Sequence, residues 1–128
     1  MVGRGMYDAA GAWGGVNPWP VPLFVVTHRD DADAGSGFTM VPSLEVALEQ
    51  AREVAGAKDV HVGGGADIVR QALASGVLDE LVLIVAPIVL GDGKRLFEGF
   101  TQRVELEQVG VRQGPFATFL HYRVPRGS

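Results

Sequence analysis

The chain has 128 residues, enough for one domain that buries roughly two-thirds of its unfolded surface. Hydrophobic residues make up 47% and charged residues 20%, which excludes a disordered chain. A net charge of −4 favours neither nucleic acid nor anionic membranes as partners, and the absence of cysteine excludes disulfides, thiolate catalysis and zinc–thiolate sites.

In chain order, a short helix or turn is expected first, then an irregular Gly/Pro-rich connection over residues 9–22. Trp13 and Trp19 lie in that connection and suit either small-molecule contact or plain hydrophobic cover. Leu23–Thr27 (LFVVT) has the near-continuous apolar character of a strand buried on both faces. Asp30–Gly37 reads as a solvated acidic loop and Phe38–Val41 as a short strand. Ser43 can cap a helix whose apolar face is Leu44, Ala47, Leu48, Ala51 and Val54, with Gly56 ending it.

A strand at Val60–Val62 follows, then Gly63-Gly64-Gly65, then a helix over Ala66–Ser75 stopped by Gly76. Leu81–Val89 is expected as another buried strand. Segments near Val104–Val111 and Phe116–Val124 form an antiparallel hairpin through Gln113-Gly114-Pro115. The expected class is α/β: a mostly parallel central sheet flanked by helices, with a C-terminal antiparallel hairpin. The apolar run Leu81–Leu90 contains Pro87 and is too short to span a bilayer, and residues 1–15 lack a signal-peptide core, so a cytoplasmic protein is expected. Val124-Pro-Arg-Gly-Ser128 has the look of a protease-site tag, which would limit the single domain to residues 1–124.

The glycine turn carries the strongest chemical signal. A strand that breaks at glycines into a helix offers unpaired N–H groups and the positive end of the helix dipole, which suits a phosphate. Residues 63–68 lack the third glycine of a Rossmann fingerprint and the lysine of a Walker loop, so a plain strand–helix turn is the competing reading. His28 and Arg29 sit at the carboxyl end of a buried strand, where open α/β sheets bind ligands. Arg29 can pair with a phosphate or with the acidic Asp30, Asp31 and Asp33. The turn Leu90-Gly91-Asp92-Gly93-Lys94-Arg95 suits an anionic substrate or a soluble loop. His61 and His121 fall inside expected strands, where structural roles are favoured. No metal-ligand spacing and no nucleophile elbow occurs.

Several segments in order resemble the dihydrofolate reductase-like proteins, in particular the reductase domain of bacterial riboflavin-biosynthesis deaminase–reductases. They are VGRGMYDAAGAW, FVVTHR, VHVGGGADIVRQAL, LDELVLIVAPIVLGDGKRLFEG and FLHYRV, and together they cover nearly the whole chain. The resemblance implies an NADPH-binding fold. Carried over, Gly63, Gly64, Gly65 and Ala66 would cradle the cofactor pyrophosphate, and Gly3 and Arg4 would open another helix against the phosphates. Thr27, His28 and Arg29 would lie by the adenosine ribose and its 2′-phosphate, while Pro87, Leu90, Gly91 and Phe97 would border the substrate pocket.

Family members carry a first strand and helix and an S-L-D-G-like segment ahead of the G-R motif, with no counterpart here, so no catalytic residue is assigned. The expected function is NADPH-dependent hydride transfer to a C=N or C=O group of a small heterocyclic or sugar-like substrate. The alternative is a truncated, catalytically silent domain. In either case an unpaired sheet edge would invite a homo-oligomer, expected as a dimer.

Overall fold

The computed structural model describes residues 1–28 and 37–125. They form two units, Met1–Gln71 and Ala72–Ser128.

In the first unit, β1 (Val2–Gly3), β2 (Leu23–Val26) and β3 (Phe38–Val41) make a parallel sheet in that order, in which Val25 faces both Val2 and Met40 across the ladder. Leu23, Phe24 and Val25 are all buried, as a parallel strand covered on both faces requires. One face carries a cluster of Val2, Tyr7, Leu23, Val25 and Phe38, flanked by Met6, Ala12, Trp13 and Met40. Tyr7 comes from α1 (Arg4–Ala9), and Trp13 from the 3₁₀ turn Gly11–Gly15 that follows it. Trp13 stacks on Phe38 with centroids 6.1 Å apart and meets Trp19 edge-on at 5.0 Å. The two tryptophans therefore serve as hydrophobic cover. That packing holds Ala12 and Trp13 at φ of 52° and 50°, a left-handed conformation uncommon outside glycine.

Helix α2 (Leu44–Ala55) packs against β2 and β3 through buried Leu44, Ala47 and Ala51. The Ser43 hydroxyl accepts from the Val46 N–H at 3.2 Å, and Gly56, at φ 60°, ends the helix by donating to the Arg52 carbonyl. Val54 does not join the buried face: it is 59% exposed, in the last turn of the helix. The expected strand at Val60–Val62 is also absent as a regular strand. Its chain runs beside β1 but makes a single parallel bridge, Val2 to Gly64, because the glycines turn away into α3 (Ala66–Ala74). Arg29 and residues 30–36 of the acidic loop lie outside the described residues.

The second unit begins in the last turn of α3, where Ala72 and Leu73 are buried. Gly76, at φ 76°, donates to the Leu73 carbonyl and Val77 to that of Ala72, the paired bonds of a Schellman cap. Strands β4 (Glu80–Val85), β5 (Glu107–Gln113) and β6 (Thr118–Arg123) form an antiparallel sheet in the order β4-β6-β5. The hairpin expected at the C-terminal end is present, closed by the Gly114 N–H on the Ala117 carbonyl at 2.8 Å, with a bulge between Gln108 and Gly110.

The strand expected over Leu81–Val89 differs in two respects. It stops at Val85, since Pro87 has no N–H to offer a ladder and restricts Ala86. It is also an edge strand: Leu81 is buried, but Val82, Ile84 and Val85 are exposed. Continuous hydrophobicity there does not mean burial on both faces within this unit.

The packing sets measurable stabilities. Ser43→Ala is expected to cost about 1 kcal/mol through loss of the cap, and Ile68→Ala, in a side chain 2% exposed, about 3 kcal/mol. Val54→Ala, on an exposed position, should stay within about 0.5 kcal/mol of the parent. Chemical denaturation of the three variants checks the ranking.

Candidate functional site

The carboxyl ends of β1 and β2 and the amino end of α3 come together in the first unit. Two backbone bonds join them: the Gly63 N–H donates to the Met1 carbonyl and the Gly3 N–H to the Gly64 carbonyl, both at 2.8 Å. Beside them the Met1 amino group donates to the His61 carbonyl, and its burial pushes its pKa below the usual value. The Gly64–Gly65 peptide is cis. The site thus lies where open parallel sheets bind ligands, outside the carboxyl ends of the strands.

The glycines at this turn differ in what they do. Gly64 has φ 127°, a conformation that suits glycine, and a Cβ there would lie 3.4 Å from the Met6 sulfur. A Cβ on Gly3 would meet Ile68 at 3.6 Å, and one on Gly63 would meet Val2 at 3.4 Å. Gly65 is different. Its φ is not in the left-handed range, and a Cβ there would meet nothing within 4 Å. Beyond its chain neighbours the backbone on that side is open to an approaching group. The first helical bond of α3 runs from the Val69 N–H to the Gly65 carbonyl, so the N–H groups of Ala66, Asp67 and Ile68 lie ahead of the intrahelical ladder. Asp67 is turned along the helix toward Gln71, whose amide donates to it at 2.9 Å.

Arg4 follows Gly3 directly. Its Nε donates to Asp8 at 2.8 Å, its Nη1 to the Thr27 hydroxyl at 3.5 Å, and its guanidinium carbon stands 5.4 Å from the centre of the Tyr7 ring. Thr27 is buried at the end of β2, with its N–H on the Val41 carbonyl, and His28 beyond it is exposed. Gly3, Arg4, Thr27, Gly63, Gly64, Gly65 and Ala66 are thus parts of one backbone arrangement within one unit. Asp8 and Tyr7 are not among the residues the sequence singles out; the signal that finds Asp8 is its four-residue spacing from Arg4, in a segment expected as a short helix or turn.

Pro87, Leu90, Gly91 and Phe97 belong to the second unit, in the chain that follows β4. All four are exposed there; Gly91 takes φ 77°, and Phe97 packs edge-on against Phe100. His121 lies 3.5 Å from Glu80 on the antiparallel sheet, and His61 contributes its carbonyl. Among the described residues no helix is long and apolar enough to cross a membrane.

With this geometry in view, comparison with known proteins is specific. The family model of the RibD C-terminal domain matches residues 20–118. The uncharacterised protein YwjB of Bacillus subtilis (strain 168) is 26% identical over 123 residues, covering 95% of this chain and 71% of YwjB. Among solved structures, a protein of Shewanella sp. PV-4 provisionally assigned to riboflavin biosynthesis superposes with a TM-score of 0.70 at 18% identity, covering 98% of this chain and 72% of that one. The Saccharomyces cerevisiae riboflavin biosynthesis reductase Rib7 superposes with a TM-score of 0.58 at 20% identity, covering 82% of this chain and 56% of that one. At such identities the structural likenesses establish the fold alone. They agree with the resemblance drawn from the ordered segments: the chain belongs to the RibD C-terminal domain family and has the dihydrofolate reductase-like α/β fold of riboflavin-biosynthesis reductase domains.

Proposed function

We propose that the chain is an NADPH-dependent reductase domain acting on a C=N or C=O group of a small heterocyclic or sugar-like substrate. The observation that carries this reading is Gly65. A Cβ there would meet nothing within 4 Å, at a turn where helix N–H groups and a buried-strand terminus converge. A side chain is dispensable there for the fold but would obstruct a phosphate drawn onto the backbone. Arg4 supplies a cation at the same strand ends.

In this reading Gly63, Gly64, Gly65 and Ala66 hold the pyrophosphate through main-chain N–H groups and the dipole of α3, with Gly3 supporting the turn from β1. Thr27, His28 and Arg29 attend the adenosine ribose and its 2′-phosphate. Arg4 contributes charge, its planar guanidinium being suited to phosphate oxygens. Pro87, Leu90, Gly91 and Phe97 border the substrate. The cofactor, when bound, supplies the hydride, and the contribution of these residues is to bind and orient. No proton donor is assigned.

The reading also places the protein in the cytoplasm and includes self-association as a homodimer. Val82 and Ile84 of β4 share a sheet face with Phe119 and are 51% and 63% exposed, a surface that a second copy would shield. Light scattering should then find a dimer, and a stable monomer at micromolar concentration removes that element.

Calorimetric titration tests the cofactor. NADPH is expected to bind, Arg4→Ala to weaken it about tenfold, and Arg29→Ala to weaken NADPH more than NADH. Gly65→Val should abolish binding while shifting stability by no more than about 1 kcal/mol. A protein that binds neither NADPH nor NADH contradicts the reading.

A further inference from the structure

The guanidinium of Arg4 is held by side chains of its own unit. Among its contacts with the described residues, Asp8 accepts from Nε at 2.8 Å, Thr27 accepts from Nη1 at 3.5 Å, and the Tyr7 ring lies 5.4 Å from its central carbon. The Arg4 side chain is 19% exposed and that of Asp8 43%, so the pair sits at the margin of the fold and not free in solvent. An arginine on a flexible stem loses much rotamer freedom when it grips an anion; one already held by a carboxylate on its Nε edge loses less. Of these contacts the charge-assisted bond to Asp8 is the strongest, and it joins residues one helical turn apart in α1.

We propose that Asp8 is a positioning residue of the nucleotide site: its carboxylate holds the Arg4 guanidinium beside Thr27, at the carboxyl end of β2, in the orientation that receives a ligand phosphate. The inference rests on the cofactor reading for the identity of the ligand. It makes a prediction of unusual sign. A carboxylate that merely lies near a phosphate site repels the phosphate, so removing it would tighten binding. A carboxylate that positions the cation does the reverse.

The test is calorimetric titration of NADPH, at one ionic strength, into the parent protein and the variants Asp8→Ala, Asp8→Asn, Asp8→Glu, Arg4→Ala and the Arg4→Ala/Asp8→Ala double variant. Asp8→Ala is expected to weaken NADPH by about threefold or more, Asp8→Asn by less, and Asp8→Glu to restore most of the affinity. In the Arg4→Ala background the loss of Asp8 should weaken binding no further, a coupling that a purely structural role would not produce. Asp8→Ala binding as tightly as the parent or more tightly, or an equal loss with and without Arg4, overturns the proposal. Should Asp8→Ala fail to fold, Asp8→Asn against Asp8→Glu decides: a weaker Asn variant supports positioning, and parent-like affinity in both overturns it. A parent protein that does not bind NADPH removes the cofactor reading and this inference together, whereas a binding parent with unaltered Asp8 variants removes this inference alone.

Discussion

Two backbone hydrogen bonds between the start of the chain and the glycine turn organise the first unit. The Gly63 N–H on the Met1 carbonyl and the Gly3 N–H on the Gly64 carbonyl bring segments sixty residues apart into parallel contact. Each bond contributes only about 1 kcal/mol on its own. Their geometric consequence is larger. They place the end of β1, the start of α1 and the start of α3 side by side, and β1 passes that placement on to β2 through the ladder of Val2 with Val25 and Gly3 with Val26. The placement of the glycine turn beside Gly3 and Arg4 rests on that contact.

The arrangement also explains why so much glycine gathers in one place. A main chain that must run close beside β1 and then enter a helix leaves little room for side chains. Gly3 and Gly63 lie within ordinary contact distance of Ile68 and Val2, and Gly64 takes a backbone conformation that suits glycine. Structure accounts for those three, whereas a Cβ on Gly65 would meet nothing within 4 Å. At Arg4 the backbone continues β1 into α1, while the side chain donates to Asp8 and to Thr27.

Much of this was legible in the residues. Hydrophobic period and capping chemistry placed α2 and α3 closely, because Ser43, Gly56 and Gly76 act through local geometry that nearby sequence controls. The hairpin followed from its turn residues in the same way. The failures share one cause. Val54 fits the apolar period of α2 yet stays exposed, and Leu81–Val85 is apolar throughout yet forms an edge strand. Hydrophobicity records which residues tolerate burial; which neighbours arrive to bury them is a non-local matter. The Val60–Val62 strand failed similarly, since a ladder needs a partner of matching length and β1 offers two residues.

The candidate site divides along the same line. The order of its motifs, from Gly3-Arg4 through Thr27-His28 to the glycine turn, is written in the sequence and, with the two later segments, pointed to the family, because each motif is a short local pattern. The convergence of those motifs, the openness beside Gly65 and the grip of Asp8 and Thr27 on Arg4 were decided by the tertiary structure. Local patterns specify which groups can bind an anion. Only long-range backbone pairing brings those groups to one place, because the partners that fix their position lie tens of residues away along the chain.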